Sequence, residues 1–89
     1  MELGKLRIDT QYEGNRIQIF NAPNVCSLVI NDEITDTFTG LVAGRFQLHG
    51  KIQTPDSEKE ILVKMSLFTA VMRIYCDGTQ IAKKWMPFG

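Results

Sequence analysis

Apolar and polar residues alternate along most of this chain. The alternation has a period of two, which sends successive side chains to opposite faces and is typical of half-buried β-strands. Turn-forming residues interrupt the pattern at short intervals, and Asp77-Gly78 has the form of a tight hairpin turn. The pattern predicts eight strands, at 5–12, 15–20, 25–30, 34–39, 44–53, 59–67, 71–76 and 79–85.

A single all-β domain over residues 1–89 follows from this pattern. We expect a small antiparallel β-sandwich built from hairpins, with a small closed barrel as the alternative. A faint internal duplication favours the sandwich, since aligning the third and seventh strands places Leu28 on Ile74 and Asn31 on Asp77. Strand 25–30 is apolar on both faces, which indicates a central strand or one covered by a partner.

The hairpin registers are only partly determined by the pattern. A two-residue turn at Asp77-Gly78 predicts that Ile74 pairs with Ile81. After the third strand, a two-residue turn would pair Val29 with Ile34, whereas a three-residue turn would pair Ile30 with Ile34. Both alternatives are compatible with the sequence.

Composition narrows the classes of function. Ten Lys and Arg residues balance ten Asp and Glu residues, so the net charge is zero. A basic excess is usual in proteins that bind nucleic acid or anionic membranes, so the balance disfavours both. The start of the chain lacks a signal-peptide pattern, and two cysteines are few for a secreted domain of this size. We therefore expect a cytoplasmic protein with no membrane contact.

Candidate chemistry is sparse, so we expect no enzyme. Cys26 and Cys76 lie in alternating apolar runs, which predicts buried, unreactive thiols. His49 is the only histidine, and a lone histidine with no nearby ligand has no recognisable metal-site spacing. We predict no catalytic, cofactor-binding or metal-binding residue. Gly50, inside a strand, is expected to mark a bulge or a close backbone contact.

Two surfaces are candidates for binding. A basic stripe is predicted on the polar face of the fifth strand, but no aromatic residues interleave with it for base stacking. Its members are Arg45, His49 and Lys51. A possible protein-interaction surface consists of large residues that the alternation sends outward, with Tyr75 as the best anchor. These residues are Phe20, Val29, Leu62, Phe68 and Tyr75.

The last hairpin carries a family resemblance. The segment Ile74-Tyr75-Cys76-Asp77-Gly78, followed by Lys83-Lys84-Trp85-Met86 and Phe88-Gly89, resembles the Fas apoptosis inhibitory molecule. The resemblance covers about sixteen of the 89 residues. It implies a non-enzymatic β-sandwich that works through protein contacts.

The leading functional hypothesis is therefore a non-enzymatic protein-interaction or structural module, whose partner is another protein or a second copy in a homodimer. A small nucleic-acid-binding barrel is the alternative, and an enzyme with an unrecognised site is third. No cofactor is expected.

Overall fold

Eight strands make up the computed structural model, which describes residues 4–22, 25–39, 45–66 and 71–85. They form two four-stranded antiparallel sheets, ordered β1-β2-β3-β4 and β5-β6-β7-β8, so the sandwich prediction is confirmed. The described strands do not close into a barrel, which removes the alternative architecture. The strands are β1 (Lys5–Tyr12), β2 (Asn15–Ala22), β3 (Val25–Ile30), β4 (Glu33–Thr39), β5 (Arg45–Gln53), β6 (Glu58–Ser66), β7 (Val71–Cys76) and β8 (Thr79–Trp85).

The core lies between the sheets and is filled by alternate side chains from both. The fully enclosed members include Ile17, Ile19 and Leu28 of the first sheet, and Ile61 and Ile74 of the second. Fully burying one such side chain contributes about 1.5–3 kcal/mol, so the alternation supplies the main stabilising term. β3 is a central strand, which accounts for its apolar residues on both faces.

The two halves of the chain repeat one architecture. The turns after β3 and β7 each contain two residues, and all four have the left-handed φ that this hairpin type requires. Asn31 donates its backbone N–H to Arg16 O and accepts the Arg16 N–H at Oδ1, both at 2.9 Å. Asp77 makes the same pair of bonds with Glu60, at 2.9 and 2.8 Å. An Asn or Asp side chain at the turn thus ties each hairpin to the preceding strand.

Bulges decide the register of both hairpins. The two-residue turn after β3 pairs Val29 with Ile34, so this alternative is the correct one. An extra residue in β4 then shifts the pairing, and Ile81 is the equivalent extra residue in β8. Ile74 consequently pairs with Ala82, and the predicted pairing of Ile74 with Ile81 is wrong. A bulge sets two residues opposite one, which turn chemistry alone does not reveal.

Among the described residues, polar contacts join the two sheets at two places. Asn15 is buried, and its Nδ2 donates to Gln53 O of β5 at 2.9 Å while its Oδ1 accepts from Asn31 Nδ2 at 2.9 Å. Asp36 Oδ2 of β4 accepts the backbone N–H of His49 in β5 at 2.8 Å. The second contact satisfies a donor on an edge strand and holds β4 beside β5.

Gly50 marks a close contact between the sheets rather than a bulge. The pairing of β5 with β6 runs through Gly50 without a register shift. A Cβ atom at this position would lie 2.7 Å from Ile30 Cδ1 and 2.9 Å from Thr35 Oγ1. The absence of a side chain therefore allows β5 to lie against the first sheet.

Candidate binding surfaces

The two thiols are free and buried, as predicted. Burial raises the pKa of the Cys26 thiol to about 11, against the opposing effect of the Arg7 charge. Burial and the Asp77 charge raise the pKa of Cys76, which lies beside Tyr12. Arg7 and Tyr12 are five residues apart on β1, roughly 17 Å at the rise of a strand. The thiols are thus protonated at neutral pH and lie near opposite ends of β1.

A shallow depression of about 270 Å³ lies on the second sheet, lined by His49, Gly50, Lys51 and Glu60. His49 Nδ1 is 3.9 Å from Glu60 Oε1 on its rim. Among the described residues, no three His, Cys, Asp or Glu side chains are grouped as a metal site would require. The depression offers an exposed histidine and carboxylate, with neither thiol at its lining.

The predicted basic stripe lies on the outer face of β5, but carboxylates neutralise part of it. Lys51 Nζ is 3.4 Å from Glu58 Oε1, and His49 faces Glu60 as described. Arg45 begins β5, although its side chain lies outside the described part of the structure. The stripe was predicted from β5 alone, so the prediction missed the carboxylates that β6 places beside it.

The predicted interaction residues are divided between two opposite outer faces. Phe20 and Val29 belong to the first sheet, whereas Leu62 and Tyr75 are direct cross-strand partners on the second. Phe68 lies outside the described residues. Val29 is only 4% exposed, so its prediction as an accessible contact is wrong. Its cross-strand neighbours on both sides cover it, because β3 is central.

The outer face of the first sheet, which we call the apolar face, carries Leu6, Phe20, Val25 and Ile34. Leu6 pairs directly with Phe20, and Leu6 and Ile34 are 42% and 43% exposed. The same face carries Asp9 and Arg16, joined by two hydrogen bonds of 2.8 and 3.1 Å. The Arg16 guanidinium lowers the pKa of the Asp9 carboxyl group. The two charges therefore neutralise each other within the chain.

The outer face of the second sheet, which we call the cationic face, carries a row of directly opposed cations. Lys64 pairs with Arg73, and Arg73 pairs with Lys83, across three adjacent strands. In the described part of the chain, neither Lys64 nor Arg73 forms an ion pair. Lys64 Nζ instead lies 5.4 Å from the centroid of the Tyr75 ring. Leu62 and Tyr75 form the next cross-strand pair on the same face.

These three cations were missed because overall neutrality hid an uneven distribution of charge. Residues 1–44 contain three basic and six acidic residues, whereas residues 45–89 contain seven basic and four acidic ones. The segments 45–49, 62–66, 71–75 and 80–85, which pair side by side in the second sheet, contain no acidic residue. The difference between halves is a signal that the sequence already contains.

Comparisons with protein families, with curated proteins and with solved structures found no match for this chain. Across residues 4–22, 25–39, 45–66 and 71–85, the structure has no helix long and apolar enough to cross a membrane.

Proposed function

We propose that the chain is a non-enzymatic protein-interaction module that forms a homodimer through its apolar face. The proposal rests on the exposed apolar residues of this face. Leu6 pairs with Phe20, Ile34 lies on the same face, and Leu6 and Ile34 are each more than two-fifths exposed. Scattered apolar residues are ordinary on a soluble monomer, whereas a group of them marks an interface. Phe20 supplies the large contact area of an aromatic ring beside Leu6.

Charge favours a second copy of the chain as the occupant. A two-fold interface sets the same surface against itself, so unpaired charges on that surface would meet their own copies. The charged side chains that alternation places on the apolar face within the described ranges, Asp9 and Arg16, neutralise each other. The cationic face would instead oppose Lys64 and Arg73 to their own copies. The homodimer therefore uses the first sheet.

We also propose that the protein is cytoplasmic, and both this assignment and the non-enzymatic one rest on Cys26 and Cys76. Both thiols are buried with raised pKa values, which removes the nucleophile that a thiol enzyme requires. Two free cysteines suit a reducing compartment. The resemblance of residues 74–89 to the Fas apoptosis inhibitory molecule points to the same class of non-enzymatic function.

Sedimentation equilibrium at tens of micromolar protein tests the homodimer. We expect the wild-type mass to approach that of a dimer, and Ile34→Lys to return it to that of a monomer. Gln80→Lys is the matched control, because it adds the same charge at an exposed position on the edge strand of the other sheet. A monomeric wild type, or equal dissociation of both variants, would reject the proposal.

A further inference from the structure

We propose that the cationic face binds single-stranded nucleic acid, with Lys64, Arg73 and Lys83 on the phosphates and Tyr75 stacked against a base. This inference goes beyond the homodimer and uses the opposite face of the sandwich. Zero net charge over the whole chain disfavoured nucleic-acid binding, but this one surface carries an excess of positive charge.

The first support is the cross-strand row itself. Like charges directly opposite one another in a sheet are destabilising, so Lys64 and Arg73 weaken the isolated domain. A bound polyanion would turn the same row into a favourable set of contacts. Adjacent strands are about 4.8 Å apart, so the three cations form a short track for a charged backbone.

The second support is the position of the aromatic ring relative to this track. Tyr75 is two residues beyond Arg73 on β7 and on the same face, about 7 Å away at the rise of a strand. A nucleotide places its base to one side of its phosphate, and aromatic rings beside cationic tracks bind bases by stacking. Lys64 now lies over the Tyr75 ring, and its movement to a phosphate would free that ring face for a base.

This combination favours single-stranded nucleic acid over an acidic protein. An acidic peptide supplies negative charge alone, whereas an unpaired strand supplies both the charge and the flat rings that Tyr75 complements. A duplex keeps its bases stacked and leaves the tyrosine without a partner. Leu62, beside Tyr75, extends the apolar platform on which a base rests.

Fluorescence anisotropy with a labelled oligothymidylate tests the proposal. Three phosphate contacts predict a slope of about −2 for the logarithm of the binding constant against the logarithm of the salt concentration. Binding should therefore weaken roughly 20-fold between about 50 and 200 mM salt. Lys64→Gln should reduce the slope by about 0.7, since one contact is lost. Tyr75→Leu should weaken binding by roughly 5- to 150-fold without changing the slope.

Lys51→Gln is the matched control, because it removes the same charge from a lysine on the same sheet that already faces Glu58. We expect its affinity and salt slope to equal those of the wild type. Urea unfolding of each variant shows that it folds, and retained binding in Ile34→Lys would separate this site from the dimer.

Three results would overturn the proposal. Equal losses of oligothymidylate affinity in Lys64→Gln and Lys51→Gln would show general electrostatic attraction without a specific binding site. Equal binding of oligothymidylate and poly-L-glutamate would point to an acidic protein partner. Absence of salt-dependent binding at low salt would remove the function altogether.

Discussion

Replacing Gly50 with alanine places one methyl group where β5 lies against the first sheet. The new Cβ would be 2.7 Å from Ile30 Cδ1, 2.9 Å from Thr35 Oγ1 and 3.2 Å from Leu28 Cδ2. Nonbonded carbon atoms prefer separations of about 3.5–4.0 Å, so the neighbouring side chains must move. Ile30 and Leu28 are 5% and 0% exposed, which leaves their ends little space to enter.

Two effects of opposite sign set the size of the change. Alanine restricts the unfolded chain, which stabilises the fold by about 0.4–1 kcal/mol where the backbone conformation is compatible. Inserting a methyl group into a packed core costs about 1–3 kcal/mol. The overpacking is the larger effect because the contacted carbon atoms belong to the core, so we expect a net destabilisation of about 1–2 kcal/mol. At this chain length, each kcal/mol lowers Tm by about 4–8 °C.

Urea unfolding of a double-mutant cycle measures this effect. Ile30→Val removes the Cδ1 atom that the new methyl group would strike, and by itself costs about 0.5–1.5 kcal/mol. The double variant should therefore be more stable than the sum of the single changes predicts, by at least about 0.5 kcal/mol. Strict additivity, or a Gly50→Ala variant as stable as wild type, would refute the close contact as the reason for glycine.

Three further predictions concern the buried Asn15 side chain and the two thiols. Asn15→Ala should lower the free energy of unfolding by about 2–3 kcal/mol, because it removes hydrogen bonds that link the turns after β1 and β3 to β5. The exposed change Gln11→Ala is the control in urea unfolding, and equal midpoints for the two variants would contradict the role of Asn15. Cys26 and Cys76 should react with a thiol reagent only after unfolding, and rapid reaction of the native protein would contradict their burial. The free energy of unfolding should fall as pH rises from roughly 8.5 towards about 11, because the thiol of the unfolded chain ionises while folded Cys26 stays protonated. Cys26→Ala should flatten that part of the pH profile. An unchanged profile in this variant would contradict the raised pKa of Cys26.

The positions of the strands were predictable because their signals are local. Alternation reports burial one residue at a time, and turn residues mark chain reversals without reference to distant segments. The predicted strand bounds therefore lie within two residues of those observed. The apolar character of residues 25–30 on both faces indicated a central strand or one covered by a partner, and β3 is central.

The composition of the two outer faces required the tertiary structure. Whether an outward side chain is accessible depends on its neighbours in adjacent strands, which is why Val29 is buried while Ile34 is exposed. Bulges in β4 and β8 shift the register by one residue, and no local sequence pattern predicts them. Lys64, Arg73 and Lys83 become neighbours only through hydrogen-bonded pairing across three strands. Charge along the chain is a property of the sequence, whereas charge on a surface depends on which strands the fold places side by side.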